Sequence, residues 1–384
     1  MPRRTSTHTK SRSDAAPNVH AGATEAGLVY VTDGEPGIRR VRHGAHFRYR
    51  LREKPVRDVA TLARIRVLAV PPAYSDVWIC PRANGHIQAT GRDARGRKQY
   101  RYHAEWNASR GKGKFERVIS FGEALPRLRR RLRRDLALPG FPRDKVLAIV
   151  VAVMNETLVR IGNSEYARAN RSFGLTTLRN QHVRFVKGGR ARLSFRGKGG
   201  IDHDVALDDR RLVKLVRHVQ QLPGQSLFQY LDDSGKALPV DSGQINDYLR
   251  DAMRESFTAK DFRTWGGTLA AFQRLAGISL TAIIIGEDGV TEIPRSEAEL
   301  TRLQNAVIKE VARELGNTPA ICRTAYIDPT VFTGWRDGSL ARCAGNARGA
   351  RQWEQAALKC LRNARRESTQ ATRSAAPKKR QAPA

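Results

Sequence analysis

Nine consecutive apolar residues, Val146 to Met154, limit what this chain can become. They are too few to cross a bilayer core, which takes about 20. They belong to a helical pattern from Lys145 to about Arg160 that is apolar nearly all round. A helix of that kind is stable only when every face is covered. It is therefore expected to be buried. Another helix precedes it, where Leu125, Leu128, Leu132 and Leu136 form a stripe and arginines take the other faces. Gly140 ends that segment. Arg160-Ile161-Gly162 ends the buried helix, and an arginine there needs an anionic partner. A protein carboxylate and a bound phosphate both meet that need.

The flanking segments divide the chain. Residues 1–24 hold almost no large apolar side chains and read as a disordered basic arm. Residues 25–108 read as a β-rich domain. Leu28 to Val31 is a short strand, and Thr61 to Ile65 begins a helical turn. Val77 to Cys80 and His86 to Thr90 flank Asn84-Gly85 as a hairpin. From Gly91 to His103, basic residues interleave with Tyr100 and Tyr102, which share one face of a strand. Aromatics among cations suit bases and phosphates, with a solvated charged strand as the alternative. The Gly- and Lys-rich link Asn107 to Lys114 marks the boundary.

Residues 109–346 read as a second, mainly helical domain. It contains three alternating strands, His182 to Val186, Arg190 to Phe195 and His203 to Leu207. Gly188-Gly189 makes the first turn and Arg196 to Gly200 the second. Lys198 in that glycine-rich turn is either catalytic or an exposed turn charge. Its surroundings do not make a Walker A loop, so no ATP site is expected. Further helices are expected over Ser242 to Arg254, from near Thr268 after Lys260 to Gly267, and over Thr301 to Leu315. A last helix falls in 347–365, with Trp353, Ala357 and Leu361 on one stripe, and 366–384 is a disordered basic tail.

Charge narrows the function. Lys and Arg number 69 against 37 Asp and Glu, a formal charge of +32. That surplus points away from a small-molecule enzyme and towards a polyanion, most often nucleic acid, with a membrane surface as the weaker alternative. Met1-Pro2-Arg3-Arg4 is not followed by an apolar leader core, so a cytoplasmic location is expected. The four cysteines are scattered without a CxxC pair, which argues against a zinc site or a disulfide framework. Against this background, Leu315 to Tyr326 gains weight. A tyrosine, with its usual pKa of about 10, attacks well only when cations stabilise its phenolate and the group it attacks. Arg160, Lys198, Arg263 and Asn317 stand on separate elements of the same domain as Tyr326.

These residues lie in motifs that occur together. They are Arg160-Ile161-Gly162 with Tyr166 behind it, Gly174-Leu175-Thr176-Thr177-Leu178, Phe195-Arg196-Gly197-Lys198, Lys260-Asp261-Phe262-Arg263-Thr264-Trp265-Gly266, and Leu315-Gly316-Asn317-Thr318-Pro319 ahead of Arg323 and Tyr326. With Val70 to Tyr74 and the Gly91 to His103 run, the chain over residues 27–345 resembles type IB DNA topoisomerases, in the compact poxvirus-like form found in bacteria. The resemblance implies an α+β fold. A small β-rich N-terminal domain and a larger, mainly α catalytic domain with a three-stranded sheet would form a clamp around double-stranded DNA. It implies a monomer in the bacterial nucleoid that needs no cofactor or metal. Tyr326 would be the nucleophile, assisted by Arg160, Lys198, Arg263 and Asn317. Gln99, Tyr100, Tyr102 and Tyr166 would contact DNA, and charge adds Arg97 and Lys98. Asn317 departs from the poxviral and eukaryotic pattern, which has histidine there. The rivals are a tyrosine recombinase, which usually has histidine where this chain has Lys260, and a non-enzymatic basic DNA-packing protein.

Overall fold

The computed structural model describes residues 23–24, 27–44, 46–94, 96, 98–106, 115–286 and 289–374. Arg97, the Asn107 to Lys114 link and the outer parts of both basic arms lie outside the described residues. The chain divides into two compact units, Met1–Lys114 and Phe115–Ala384.

The first unit is built on a six-stranded sheet of order β3-β2-β1-β4-β5-β6. The strands are β1 (Ile38–His43), β2 (His46–Leu51), β3 (Lys54–Pro55), β4 (Ser75–Ile79), β5 (Ile87–Arg92) and β6 (Lys98–Tyr102). Each neighbour pairs antiparallel, and β4 with β5 is the hairpin expected from Asn84-Gly85. Helix α1 (Val59–Val67) covers one face through Ile65, which packs with Ile38, Val77, Ile79 and Ala89. Leu28 to Val31 does not form a strand. Val29 makes only an isolated bridge to Gly85, and the Val31 N–H donates to the His86 ring at 3.1 Å. A side chain there takes the place of a ladder partner.

The second unit begins with α2 (Glu116–Leu136), α3 (Arg143–Thr157) and α4 (Ser164–Asn170). A three-stranded antiparallel sheet follows, with β7 (Val183–Val186), β8 (Arg190–Arg196) and β9 (Asp202–Leu207) in that order. Helix α5 (Arg210–Gln220), the small ribbon β10 (Gln229–Leu231) and β11 (Ala237–Pro239), and α6 (Ser242–Met253) lead to α7 (Ala259–Ala276). A second ribbon, β12 (Thr281–Gly286) with β13 (Gly289–Pro294), precedes α8 (Glu297–Leu315) and α9 (Pro319–Ala325). Helices α10 (Thr330–Arg336), α11 (Ser339–Ala344) and α12 (Gly349–Ser374) complete the described chain.

The apolar run is buried as its composition requires, with Val146 to Val151, Val153 and Met154 in the core. Around it lie side chains of α2, α5, α6, α7 and the three-stranded sheet. A second core gathers α8, α10, α11 and α12 around Phe272, Val311 and Trp335. Helix α7 enters both, with Phe262 and Trp265 in the first and Ala271, Phe272 and Leu275 in the second. No helix among the described residues is long and apolar enough to cross a membrane.

Four boundaries differ from the sequence reading. Helix α3 stops at Thr157 because Leu158 turns left-handed, with φ at 53°, so Arg160 stands beyond the helix. Helix α7 starts at Ala259 rather than near Thr268. The Asp261 carboxylate accepts the Thr258 N–H at 2.8 Å and its hydroxyl at 3.1 Å, which fixes the start. Helix α8 starts at Glu297, where Ser296 and Glu299 form a capping box. Helix α12 runs on to Ser374, through Ala, Arg, Glu and Gln residues that favour helix. The β12–β13 ribbon was not foreseen.

Several polar groups are buried within this apolar frame, and one of them ties two of its helices together. Asp135 on α2, 1% exposed, accepts from Arg131, from Arg134 at 2.9 Å and from the Tyr248 hydroxyl of α6 at 2.9 Å. Burial pushes its carboxyl up, but these donors more than offset that and hold it below the usual range. Asp135→Ala should lower stability by about 3–5 kcal/mol, because Arg131 and Tyr248 lose their common partner. The carboxylate's contribution is present above its unfolded pKa of about 3.9 and is lost as pH falls through the lower folded value. Urea unfolding of wild type and variant at pH 7 and in acid measures both effects, and the gap between them should close in acid.

Candidate active site

The site is organised by a buried cation. Arg263 lies in the first turns of α7 and is 3% exposed. No carboxylate among the described residues meets it. Instead Nη1 donates to the Leu158 carbonyl at 2.5 Å and Nη2 to the Leu315 carbonyl at 2.6 Å. Leu158 caps the C-terminus of α3 and Leu315 is the last residue of α8. Helix C-termini carry partial negative charge and carbonyls without intrahelical partners, so one guanidinium satisfies two of them. Burial first, and then the nearby Arg160, push its pKa down to about 10.

Tyr326 caps the C-terminus of α9 and lies with its ring 4.9 Å from the Arg263 guanidinium carbon. Two adjacent glycines in α7 permit this approach. A Cβ at Gly266 would stand 2.5 Å from the Leu158 side chain, and one at Gly267 would stand 2.7 Å from the Tyr326 carbonyl oxygen. Thr268, fully buried, donates its hydroxyl to the Tyr326 carbonyl at 3.3 Å and accepts the Asp328 N–H at 3.1 Å. Asp328 is itself buried and accepts from Arg365 of α12 at 3.1 Å. Burial alone would raise the phenol's pKa. Arg263, by charge and hydrogen bonding, and then Arg160 outweigh it and bring it below the ordinary tyrosine value.

Arg160 is held through its backbone. Its carbonyl accepts the Leu175 N–H at 2.9 Å, and the Ile161 carbonyl accepts the Thr176 N–H at 2.7 Å. Gly162 has φ at 100°, and a Cβ on Gly174 would meet its Cα at 2.6 Å. The Arg160-Ile161-Gly162 and Gly174 to Thr176 segments thus pack backbone to backbone. The Arg160 side chain donates to the Asn317 amide oxygen at 2.5 Å and, at the 3.5 Å limit, to the Gly316 carbonyl. The anionic partner that its position demands is not among these.

Arg160, Lys198, Arg263 and Tyr326 line one cavity of about 300 Å³. Tyr166 of α4 joins them, and so does Lys260. Sequence reasoning used Lys260 as a place where histidine is missing, and only the observed start of α7 at Ala259 puts it one helical turn before Arg263 on the same face. Asn317 does not line this cavity. It borders a separate recess together with His203 and reaches the site through Arg160. Its amide nitrogen is buried without a hydrogen-bond partner among the described residues. His203 was passed over in the sequence as an ordinary strand residue.

The candidates of the first unit sit together on β6. Tyr100 and Tyr102 share a face and stack, with ring centroids 5.9 Å apart. They are 43% and 37% exposed. Lys98 pairs with Asp33 at 2.5 Å and lies 5.5 Å over the Tyr100 ring. Gln99 donates to Asp93 at 3.0 Å. No group of three or more His, Cys, Asp or Glu side chains placed to hold a metal occurs among the described residues.

Two family models match the chain. One, described as the catalytic core of eukaryotic DNA topoisomerase I, matches residues 103–331, and the other, the N-terminal domain of bacterial DNA topoisomerase IB, matches residues 46–93. The chain is similar to DNA topoisomerase 1B of Acanthamoeba polyphaga mimivirus, with 31% identity over 297 residues, 76% of this chain and 85% of the viral one. It is also similar to DNA topoisomerase 1B of vaccinia virus, strain Copenhagen, and to DNA topoisomerase I of monkeypox virus. Each is 21% identical over 263 residues, which cover 67% of this chain and 75% of the relative.

The geometry makes the acidity of Tyr326 depend on its two arginines. Arg263→Ala should raise its pKa most and Arg160→Ala less, since burial then acts against fewer cations. Carbon-13 NMR of ring-labelled tyrosine, with Tyr326 assigned by its Phe variant, measures the shift. An unchanged titration in Arg263→Ala would mean that the phenol does not feel the guanidinium.

Proposed function

The chain belongs to the type IB DNA topoisomerases, enzymes that relax supercoiled DNA, and on that premise we propose how its own residues divide the work. The observation that carries the reading is the single cavity joining Tyr326 to Arg160, Lys198 and Arg263. The Tyr326 oxygen attacks a backbone phosphorus, and the bond from phosphorus to the 5′-oxygen breaks. The products are a 3′-phosphotyrosyl bond and a 5′-hydroxyl. Charge builds on the non-bridging oxygens in the transition state, where Arg160 and Arg263 are placed to hold it. The departing 5′-alkoxide needs a proton, and Lys198 on its glycine-rich turn supplies it as general acid. Rotation of the free end relaxes the DNA. The 5′-hydroxyl then reverses the attack and returns its proton. The bond energy is kept in the phosphotyrosine, so the cycle needs neither nucleotide nor metal.

Asn317 donates its amide N–H to a phosphoryl oxygen in this reading. The support is its buried nitrogen, which has no hydrogen-bond partner among the described residues. Such a group costs about 1–3 kcal/mol, which a bound oxygen removes. Tyr166 at the cavity, and Gln99, Tyr100, Tyr102, Lys98 and Arg97 of the first unit, contact the duplex. The stacked, exposed tyrosine pair flanked by cations supports that role. The two units, divided near residue 108, close on DNA as a monomeric clamp, and the basic arms 1–24 and 366–384 add phosphate contacts. The match to a bacterial N-terminal domain supports action in a bacterial nucleoid. Lys260, where a recombinase usually has histidine, disfavours strand exchange.

Wild-type protein should relax plasmid in EDTA without ATP, while Tyr326→Phe should bind DNA and form no covalent adduct on denaturing gels. An adduct in Tyr326→Phe would assign the attack to another residue. Lys198→Ala should cleave ordinary DNA about 10²–10⁴-fold more slowly, the usual loss for a general acid. DNA with sulfur in place of the 5′-bridging oxygen has a better leaving group and should restore that variant towards wild type. Asn317→Ala should not be restored, because its partner is a non-bridging oxygen. Equal restoration of both would mean that this assay does not single out the acid, and no restoration of Lys198→Ala removes Lys198 from the proton-donor role.

A further inference from the structure

One imidazole stands between two parts of the site. His203 on β9 pairs in register with Phe195 on β8, and their rings stack at 5.0 Å with planes 6° apart. The ring also lies against two glycines. A Cβ on Gly197, the residue before Lys198, would fall 2.5 Å from its Cδ2 and 2.6 Å from its Nε2. A Cβ on Gly316, the residue before Asn317, would fall 2.2 Å from its Cε1. The imidazole therefore fills the gap between the backbone of the lysine turn and the backbone that carries Asn317. Only glycine fits on either side.

Two backbone bonds close the turn on itself, from the Gly197 N–H to the Ile201 carbonyl at 2.7 Å and from the Gly200 N–H to the Gly197 carbonyl at 3.0 Å, and the packed ring sets where the closed turn sits. Gly199 and Gly200 both have positive φ, 80° and 79°, in a stretch where three of four residues after Arg196 are glycine. Such a stretch has wide conformational freedom unless packing restrains it. The facing backbone is firmly held, because Arg263 binds the Leu315 carbonyl and Arg160 binds Asn317. Burial first, then Arg160 and Arg263, keep the His203 pKa below its ordinary value, with Asp202 acting in the opposite sense. The ring is thus a neutral, flat spacer at neutral pH, one that adds no third positive charge beside the two arginines.

We propose that His203 is a positioning residue that sets the place of Lys198 relative to the Asn317–Arg160 pair. The proposal rests on the reading of Lys198 as proton donor. It acts through Gly197 on one side and Gly316 on the other, and the imidazole itself transfers no proton.

Single-turnover cleavage of ordinary DNA and of DNA with a 5′-bridging sulfur tests it. His203→Ala should slow cleavage of ordinary DNA about 10–100-fold, the scale of a displacement of about 1 Å in a reacting group. It should recover on the sulfur substrate, with DNA affinity held within about threefold, since ring loss touches no phosphate contact. Gly197→Ala, which displaces the ring while leaving His203 in place, should behave alike and carries the test if His203→Ala does not fold. The double variant should be no slower than the slower single, as for two changes in one contact. A wild-type rate for His203→Ala on ordinary DNA, a loss that sulfur leaves unchanged, or additive losses would overturn the proposal. Lys198→Ala run alongside separates the two readings. If sulfur fails to restore it, the proton-donor role falls. If sulfur restores it and not His203→Ala, the role of His203 falls.

Discussion

The catalytic unit depends on one buried guanidinium bonded to two helix ends. An arginine at 3% exposure would be costly in an apolar core, and here no carboxylate among the described residues faces it. The carbonyls of Leu158 and Leu315 take that place, each at the C-terminus of a helix whose dipole favours a cation. The arrangement keeps the positive charge largely unneutralised. A salt bridge would have cancelled it. The charge remains available to the Tyr326 ring, 4.9 Å away, and to any phosphate drawn into the cavity. Burial and the nearby Arg160 lower the pKa of Arg263, while Arg263 and Arg160 lower that of Tyr326 against the effect of burial.

Helix α7 carries this arrangement because it belongs to both cores. Its first turns place Arg263 between the ends of α3 and α8, and its middle turns fix the backbone of the proposed nucleophile. Gly267 lets the Tyr326 carbonyl approach the helix, and the Thr268 hydroxyl bridges that carbonyl to the Asp328 N–H. Asp328 passes the restraint on to Arg365 of α12. The phenol is therefore held from behind by backbone and buried polar contacts, while its ring faces the cations. Such support limits the loss of geometry that a reacting group on a short helix would otherwise suffer.

Much of this was legible in the sequence wherever the signal is local. The leucine stripe of α2, the all-round apolar face of α3 and the alternation of β7, β8 and β9 each follow from a period of 3.6 or 2. Two failures share a different cause. The sequence reading began α7 near Thr268, yet Gly266 and Gly267 sit inside the helix, where Leu158 and Tyr326 crowd it. Leu28 to Val31 has strand composition, but a histidine ring meets its backbone where a strand would have to be. In both, the deciding contact comes from a residue distant in sequence. The same holds for the site. Residue type and motif order singled out Arg160, Lys198, Arg263, Asn317 and Tyr326, and the cavity gathers four of them. The roles of Lys260 and His203 as neighbours depend on folding and carried no local mark.

Asparagine at position 317 gains its meaning from Arg160. A primary amide offers both an acceptor and a donor, and an isolated one can turn either way. Arginine has only donors, so its bond to the Asn317 side chain obliges the oxygen to face Arg160. The nitrogen must then face the other way, which is how the structure leaves it, buried and without a partner among the described residues. One contact therefore sets the orientation of a group that could otherwise present a repelling oxygen to phosphate. A histidine in this position would need the right tautomer or a proton to donate, and its donor strength would vary with pH. The amide has no such dependence. In this chain, changes in activity with pH must then arise at groups that do titrate, such as the phenol of Tyr326 under the two arginines, while Asn317 remains a donor throughout.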